Sequence, residues 1–407
     1  MANNEGGGSR RVAVLGAGPV GLDAALASLD AGYEINVYDE GLRPSTNVRD
    51  WGHVRLFSPW SMNVSPRMRR HATRVGLTLD VDDEAFLTGH DLADCLLDPL
   101  WARACPASSL CLGTRVVAVG REGLLKHEEI GSPERGCRPF RILLRDTNGR
   151  EWVEFADVVI DCTGKYAIPN TLGDGGIPAP GEQVLNARIE RRIPDLRTSA
   201  RDWLGRTILL VGAGHSAQTA VRDLVELASD RQDTRVIWAL RKPRPDWGAV
   251  WNDPLPGRQE LTNVAKSLAE GGSPVVKSLL GVVVEGLYQD NGRIGVRLRS
   301  FRGADQEIRV DKILSLTGGV GDHTLYRQLQ VHECYATSGP IKLAAALMGS
   351  EVVDCLVQES HGVETLKNPE PNFFLLGDKS YGRNNTFLLR VGWQQVEEIF
   401  RELSRRS

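Results

Sequence analysis

The chain has 407 residues, of which 41% are hydrophobic, and a formal net charge of −3. This length allows two or three domains with a sizeable buried core. The near balance of acidic and basic residues gives no electrostatic footprint for nucleic acid or an anionic membrane. No segment reaches the roughly 18 apolar residues that a membrane span needs, and the polar, glycine-rich first residues are unlike a signal peptide. We therefore expect a cytoplasmic protein.

The first regular pattern is a β-α-β unit over residues 11–38. The continuous apolar run Val12–Leu15 predicts a buried parallel strand. A helix is predicted over Val20–Ala31, because apolar residues recur on one face and Gly32 follows. The next strand is predicted over Ile35–Tyr38.

The turn after the first strand is a candidate phosphate-binding loop. It reads Gly16-Ala17-Gly18-Pro19-Val20-Gly21 and so fits G-x-G-x-x-G. In this motif the first glycine makes the turn, the second admits a pyrophosphate and the third allows helix and strand to pack closely, while the helix start points N–H groups at the phosphates. Asp39 ends the second strand, where a carboxylate accepts from ribose hydroxyls, and Glu40 is the neighbouring alternative.

A second β-α-β unit spans residues 206–240 and has the same layout. Its turn reads Gly212-Ala213-Gly214-His215-Ser216-Ala217, with Ala217 in place of the third glycine. We interpret His215 as a turn residue with local hydrogen bonds rather than as an acid or base. The second strand ends at Arg241-Lys242 with no acid, which favours a 2′-phosphate over a ribose hydroxyl. Plain surface cations are the alternative interpretation.

These two turns differ in ribose chemistry and therefore indicate two different cofactors. The acidic strand end suits the AMP half of FAD, and the basic one suits NADPH, so that a hydride can pass from nicotinamide to flavin. Further along the chain, Trp152–Gly164 and Asp311–Gly319 each predict an apolar strand that ends in Thr-Gly. Phe373–Gly377 predicts another strand, and Val391–Leu403 predicts a helix.

Together the motifs resemble the two-dinucleotide-binding-domain flavoproteins, a group that includes thioredoxin reductase, flavin-containing monooxygenases and bacillithiol disulfide reductase. The resemblance covers nearly the whole chain and rests on the two glycine motifs, Thr163-Gly164, Thr317-Gly318 and Gly377-Asp378. It implies an α/β fold with two Rossmann-like, three-layer dinucleotide-binding domains. The NADPH-binding domain, residues 167–320, would be inserted between the two parts of the FAD-binding domain, residues 1–166 and 321–407.

The resemblance also implies which residues meet the flavin. Thr163 and Gly164 would lie where the chain crosses between the domains. Asp378, beside Gly377, would contact the ribityl chain of FAD. A helix that starts near Thr386, with Phe387 and Leu388, would aim its N-terminus at the flavin pyrimidine carbonyl and stabilise negative charge on reduced flavin.

Three departures limit the resemblance. The seven cysteines include no Cys-x-x-Cys pair of the thioredoxin reductase kind. Val20 stands where bacillithiol disulfide reductase has a cysteine inside its first glycine motif. The Phe-x-Gly-x-x-x-His fingerprint of the monooxygenases is absent before the second glycine motif, where Asn186 stands near the expected histidine.

Residues 50–66 are the first candidate active-site segment, because the chain passes the flavin ring there in the resembling fold. His53 is an acid–base candidate, with a structural histidine as the alternative. Arg55 would bind an anionic substrate or steady reduced flavin, or form a structural ion pair. Trp60 would stack on flavin or substrate, or belong to the core.

The run after Asp378 is the second candidate active-site segment. Lys379 and Arg383 would bind an acidic group there, and solvated loop charges are the alternative. The histidines and cysteines lack the spacing of a zinc centre, so we expect no metal.

The missing dithiol favours a monooxygenase, since electrons must then pass from the flavin directly to O₂ or to a bound substrate. The expected partners are a small-molecule substrate and O₂, with neither nucleic acid nor membrane; the sequence allows a homodimer without requiring one. The alternative that the residues leave open is an NADPH-dependent reductase or dehydrogenase of a small disulfide, quinone or similar acceptor.

Overall fold

The computed structural model describes residues 10–229, 233–251, 253–349, 356 and 358–405. The chain divides into two compact units. Unit 1 contains the residues up to Ile168 together with those from Val320 onward, and unit 2 is Pro169–Gly319. Within the ranges just given, no helix combines the length and apolar content that crossing a bilayer requires.

Strands and helices alternate along most of the chain. The strands are β1 Arg11–Leu15, β2 Glu34–Tyr38, β3 Leu110–Cys111, β4 Thr114–Arg121, β5 Phe140–Asp146, β6 Glu151–Ala156, β7 Val158–Asp161, β8 Ile189–Glu190, β9 Thr207–Val211, β10 Arg235–Leu240, β11 Val276–Leu280, β12 Val282–Asp290, β13 Arg293–Ser300, β14 Gln306–Val310, β15 Lys312–Ser315 and β16 Phe373–Leu375. The α-helices are α1 Pro19–Asp30, α2 Thr46–Asp50, α3 Trp60–Asn63, α4 Pro66–Arg74, α5 Gly89–Leu92, α6 Asp98–Ala104, α7 Pro133–Gly136, α8 Ala200–Trp203, α9 His215–Ala228, α10 Pro256–Ala269, α11 Ile341–Gly349, α12 Val363–Leu366 and α13 Leu389–Arg405. A π-helical segment, Ala93–Leu97, joins α5 to α6.

Unit 1 is built on a parallel sheet in the order β16-β7-β1-β2-β3. Its central strand β1 pairs with β2 and β7 and is almost completely buried, which explains why its sequence is apolar without alternation. Helices α1 and α13 pack together, and both contribute to the main apolar cluster of the unit. A separate antiparallel sheet, β4-β5-β6, lies between β3 and β7 in the chain.

Unit 2 repeats this plan with a parallel sheet in the order β11-β10-β9-β15-β8. Helix α9 follows the central strand β9, and its apolar face belongs to the main core of the unit. The antiparallel sheet β12-β13-β14 again stands between two strands of the parallel sheet in the chain. The carboxyl ends of β9, β10 and β15 therefore meet at one edge of the sheet, where nucleotides bind in open α/β sheets.

The α/β class with parallel sheets is confirmed, as are both β-α-β units. One strand prediction is wrong: residues 152–164 contain two strands, β6 and β7, which belong to different sheets. The sequence misled here because Asp157 is a single polar residue between two apolar runs. Its carboxylate accepts from the backbone N–H of Arg11 at 2.8 Å, which marks the point where the chain enters the parallel sheet.

Candidate functional site

The first glycine turn is closed on the strand side and open towards solvent. Gly16 has a φ of +99°, and a Cβ built on it would lie 2.8 Å from the Cys162 carbonyl oxygen. A Cβ on Gly21 would lie 1.9 Å from the carbonyl oxygen of Gly16. By contrast, a Cβ on Gly18 would meet no described atom within 4 Å. Pro19 begins α1 directly after this open position, so the helix start faces unfilled space.

Asp39 lies at the rim of this turn. Its carboxylate accepts from the backbone N–H of Ala17 at 2.6 Å and from that of Gly41 at 2.8 Å. The pKa of Asp39 is raised above its ordinary value, because the effect of burial exceeds that of these two hydrogen bonds, which lower it. Glu40 is exposed and faces Arg115 instead. Asp39 is therefore the acid that borders the glycine turn, and its contact with ribose hydroxyls stays a prediction.

A buried hydroxyl beside the turn was missed by the sequence analysis. Ser45 is only 1% exposed, and its Oγ has no hydrogen-bond partner within the described ranges. Its backbone N–H donates to the Ala17 carbonyl at 3.1 Å, which places the residue against the glycine motif. A buried unpaired hydroxyl beside an open backbone cradle fits a polar ligand such as a pyrophosphate. Only its left-handed φ of 59°, unusual for serine, sets the position apart, and sequence does not reveal it.

Two further strand ends meet at the same edge of the unit 1 sheet. Thr163 donates from its N–H at 3.0 Å and from its Oγ1 at 2.6 Å to Asp161 Oδ1. Gly377 follows the neighbouring strand β16 and has a φ of +74°. The next residue, Asp378, is half-exposed and pairs with Lys165 at 2.8 Å. Parallel pairing of β7 with β16 thus brings Thr163, Gly164, Gly377 and Asp378 to one place.

Gln395 holds the Gly377 turn and was also missed by the sequence analysis. This residue of α13 is fully buried. Its Oε1 accepts from the Gly377 N–H at 2.8 Å, and its Nε2 donates to Ser380 Oγ at 3.0 Å. A glutamine in an amphipathic helix has no sequence signature that separates it from a surface residue.

Helix α13 begins at Leu389, three residues after the predicted start near Thr386. Thr386 is instead held in a local turn, because its N–H and Oγ1 both donate to Asn384 Oδ1. Phe387 packs edge-on against Tyr381 with ring centroids 5.4 Å apart, and Leu388 accepts the first helical hydrogen bonds. Phe387 and Leu388 therefore precede the helix as its anchoring residues.

The candidates in residues 50–66 have different environments. Trp60 begins α3 and is only 1% exposed, within the main apolar cluster. Arg55 is exposed and donates to the Phe86 carbonyl at 3.2 Å. His53 is half-buried on the preceding turn. Trp60 therefore belongs to the apolar core, which was the alternative to stacking on flavin or substrate. The catalytic roles of His53 and Arg55 stay predictions.

Lys379 differs from both of its predicted environments. Its side chain is fully buried, and Nζ lies 2.6 Å from Asp161 Oδ2. Lys379 is therefore not a solvated loop charge. Its ammonium is also not presented to a cavity, because it pairs with Asp161 inside unit 1. Arg383, the other cation of that run, is exposed as the sequence suggested.

The second glycine turn, in unit 2, has the same construction as the first. Gly212 has a φ of +130°, and a Cβ on it would lie 2.3 Å from the Leu316 carbonyl oxygen. A Cβ on Gly214 would meet no described atom within 4 Å. His215 and Ser216 are the first two residues of α9, and Ala217 is fully buried. Burial and the nearby positive charge of Arg258 lower the pKa of His215, so the imidazole is neutral near pH 7.

Charged residues border this turn at the end of β10. Arg241, Lys242 and Arg244 are all exposed. Lys242 pairs with Asp246 at 2.8 Å. Arg241 and Arg244 form no ion pair with any residue that the structure describes. The two guanidinium groups are therefore available to an anion, and Arg244 adds a cation that the sequence analysis did not single out.

The loop that carries these cations is tied to the glycine turn. Trp247 packs on Trp238 with ring centroids 5.3 Å apart. Trp238 Nε1 donates to the Gly212 carbonyl at 2.8 Å. Gln218 Nε2 donates to the carbonyls of Ala213 and Trp247, each at 2.9 Å. The loop after the basic strand end is therefore joined to the glycine turn by Trp238, Trp247 and Gln218.

No family model and no curated protein matches the chain. Among solved structures, the bacillithiol disulfide reductase Bdr of Bacillus cereus matches with a TM-score of 0.69 at 16% identity, covering 98% of this chain and 100% of that one.

Two more solved structures cover 98% of this chain. An ornithine N-hydroxylase of Kutzneria sp. 744, solved with reduced FAD, NADP⁺ and L-ornithine, matches with a TM-score of 0.61 at 15% identity and is covered completely. A Lactococcus lactis thioredoxin reductase matches with a TM-score of 0.60 at 13% identity, with 98% of its length covered. The chain has the fold of the two-dinucleotide-binding-domain flavoproteins. The resemblance inferred from the motifs is confirmed at the level of fold.

Among the described residues, no group of three or more metal-ligating side chains is close enough to hold an ion. The six described cysteines are all unpaired. Cys355, the seventh, lies outside the described residues.

Proposed function

We propose that the chain is an FAD- and NADPH-dependent oxidoreductase, in which unit 1 holds FAD and unit 2 holds NADPH. The fit of FAD to unit 1 is supported by the open cradle at Gly18, the unpaired hydroxyl of Ser45 and the acid at Asp39. Each Asp39 oxygen accepts one backbone N–H and keeps a lone pair for a ribose hydroxyl. Bound FAD would supply the chemistry of hydride acceptance and electron transfer.

The choice of NADPH over NADH depends on the charges at the end of β10. Arg241 and Arg244 are available to pair with a 2′-phosphate, and guanidinium groups bind phosphate with two parallel hydrogen bonds. Lys242 is a weaker candidate, because Asp246 already neutralises it. Gly214 admits the pyrophosphate, and the start of α9 points its N–H groups at it.

We propose further that the enzyme is a monooxygenase that uses O₂ to oxidise a small molecule. The observation that carries this is that no two described cysteines pair, while two thiols of unit 1, those of Cys105 and Cys162, are held in the protonated form. Burial raises the pKa of Cys105 to about 12 and that of Cys162 well above its ordinary value, so both thiols are protonated at neutral pH. No two described cysteines pair, and Val20 occupies the motif position of a reductase cysteine. Electrons without a thiol relay pass directly to O₂ or substrate.

Isotope labelling tests this proposal. Purified enzyme is supplied with NADPH, ¹⁸O₂ and a panel of small amines, thioethers and ketones, while NADPH oxidation and oxygen uptake are followed. We expect one compound class to accelerate NADPH oxidation and to gain one ¹⁸O atom, measured by mass spectrometry. NADPH oxidation that yields only hydrogen peroxide with every compound, while small disulfides or quinones are reduced without oxygen, would reject the monooxygenase and favour the reductase.

A second candidate function is the reduction of a small disulfide, and one cysteine favours it. Cys334 is 8% exposed, and hydrogen bonds from the Thr337 hydroxyl, the Thr337 N–H and the Ala336 N–H lower the pKa of its thiol. A thiolate is the form that attacks a disulfide. If this candidate is correct, Cys334→Ser abolishes NADPH-dependent reduction of a panel of low-molecular-weight disulfides. Unchanged reduction by the serine variant would remove Cys334 from the mechanism.

A further inference from the structure

Lys379 is a fully buried cation at the edge of the unit 1 sheet. It directly follows the Gly377–Asp378 turn. Its Nζ donates to Asp161 Oδ2 at 2.6 Å, to Thr163 Oγ1 at 3.0 Å and to the Asp322 carbonyl at 2.6 Å. An ammonium has three donors, and all three are used.

The three acceptors belong to two separate stretches of chain, and Lys379 itself lies on a third. Asp161 and Thr163 end strand β7, just before the chain leaves unit 1, and Asp322 follows its return at Val320. One ammonium therefore joins the outgoing segment, the returning segment and the Gly377–Asp378 turn. Even a fully hydrogen-bonded buried ion pair is often no more stabilising than well-packed apolar residues, so stability alone does not account for this one.

Unit 2 has a neutral residue, Ser315, where the equivalent strand end of unit 1 has Asp161. Ser315 stands two residues before Thr317, just as Asp161 stands two residues before Thr163. Ser315 Oγ and Thr317 Oγ1 are 3.5 Å apart, and the Thr317 carbonyl accepts from Asn170 Nδ2 at 2.9 Å. Arg191, which pairs with Glu182 at 2.9 Å, donates to Ser315 Oγ at 3.5 Å, so an ion pair also borders this end. The Lys379–Asp161 pair differs because both of its partners bond directly to the threonine, Thr163. The proposed flavin residues Thr163 and Asp378 flank that pair.

We propose that Lys379 is a positioning residue for FAD, which fixes Thr163 and the Gly377–Asp378 turn relative to each other. The inference rests on the proposed binding of FAD to unit 1. Lys379 does not itself contact substrate, because its three donors point into the protein. It acts through the residues on either side of it, which hold the flavin.

The test replaces the ammonium with an uncharged chain of similar length. For wild type and Lys379→Met, FAD affinity is measured by titrating the flavin-free protein. The melting temperature is recorded, and kcat and KM for NADPH are determined with ferricyanide as electron acceptor. We expect the Kd for FAD to rise about tenfold, equivalent to about 1.4 kcal/mol, because Thr163 and the Gly377–Asp378 turn lose the ammonium that fixes their relative position. We expect kcat to fall while the KM for NADPH stays unchanged, since unit 2 is untouched.

Two further variants separate positioning from plain stability. Arg135→Met is the matched control, because Arg135 is also a buried cation of unit 1 and pairs with Glu370 at 2.9 Å. It should lower the melting temperature at least as much as Lys379→Met and leave FAD affinity unchanged. The double variant Asp161→Asn with Lys379→Met removes both charges, so it should recover melting temperature but keep weak FAD binding.

The outcomes distinguish this inference from the proposed function. Wild-type protein that binds no FAD would reject the proposed function itself. If wild type binds FAD and Lys379→Met binds it equally well, only the positioning role is wrong. The positioning role also fails if the double variant regains wild-type FAD affinity, because the lysine would then merely neutralise Asp161.

Discussion

In unit 1 an acid, Asp39, borders the glycine turn, whereas in unit 2 the corresponding strand end carries Arg241, Lys242 and Arg244. The backbone plan of the two turns is the same: the first glycine has a positive φ, and the second faces open space. What differs is the charge at the rim. On the proposed function, the backbone would recognise the pyrophosphate that all dinucleotides share, and the strand end would distinguish one dinucleotide from another.

The two turns also differ in how the neighbouring chain is secured. In unit 1 a buried ion pair and Gln395 hold the adjacent strand ends. In unit 2 neutral hydrogen bonds from Gln218 and Trp238 hold the glycine turn, a partly exposed ion pair of Arg191 with Glu182 borders the neighbouring strand end, and the basic loop lies exposed. A rigid site suits a cofactor that stays bound, and an exposed loop suits one that must leave after each turnover.

The largest expected effect comes from replacing Gly18 or Gly214, the second glycine of each turn, with alanine. Gly18 and Gly214 both have extended backbone that alanine also adopts, and neither Cβ would clash with a described atom. Gly18→Ala should therefore fold normally but raise the Kd for FAD at least about tenfold, because the methyl group occupies the pyrophosphate position. FAD titration and melting of the flavin-free protein measure both quantities.

Gly214→Ala is the matched variant. It should leave FAD binding intact and raise the KM for NADPH by a similar factor. If Gly214→Ala weakened FAD binding instead, the assignment of the two cofactors to the two units would be reversed.

The rim charges give the next largest effect. Arg241→Ala should lower kcat/KM for NADPH by about 10- to 100-fold and leave the value for NADH unchanged, since a charge-assisted hydrogen bond to the 2′-phosphate is lost. Arg244→Ala should act in the same direction. Lys242→Ala is the control, because Asp246 already pairs with the lysine and its loss should change the ratio less. A NADPH-to-NADH ratio that none of these variants alters would place the 2′-phosphate elsewhere.

Sequence predicted the features that are local in the chain. Each glycine turn, its strand and its helix lie within about 30 residues, the span of a β-α-β unit. The parallel strands are apolar on both faces, so their runs were recognised without any partner. The antiparallel sheets escaped prediction because their strands alternate weakly; β14, for example, is mostly exposed.

The contacts that secure the candidate sites could not be predicted, because they join distant positions. Lys379 and Asp161 are 218 residues apart in the chain. Nothing in the local pattern separates a buried lysine after Gly377-Asp378 from an exposed one, so its charge was interpreted as available to a ligand. Ser45 was missed for the same reason, since its burial depends on how residues after β2 fold back onto Ala17.

Gln395 and Gln218, one buried glutamine beside each turn, give a moderate expected effect. Gln395→Leu leaves the Gly377 N–H without its acceptor, which should cost about 1–3 kcal/mol and weaken FAD binding about threefold or more. Gln218→Leu removes the donor that joins Ala213 to Trp247 in unit 2, so it should raise the KM for NADPH and leave FAD binding intact. The same assays as for the glycine variants measure both. Equal effects of the two variants on FAD would contradict the separation of the sites.

The smallest expected effect is a difference in pH dependence between the two turns. The residue after the second glycine is Pro19 in unit 1, which does not titrate, and His215 in unit 2. Burial lowers the pKa of His215 in the folded state, so the unfolded chain binds more protons between that value and about 6.5. Stability contributed by neutral His215 is therefore present above about pH 6.5 and is lost as the pH falls. Urea unfolding at pH 5.5 and 7.5, followed by tryptophan fluorescence, should show a smaller loss on acidification for His215→Gln than for wild type. Identical losses for both proteins would mean that His215 keeps its ordinary pKa and that the two turns respond alike to acid.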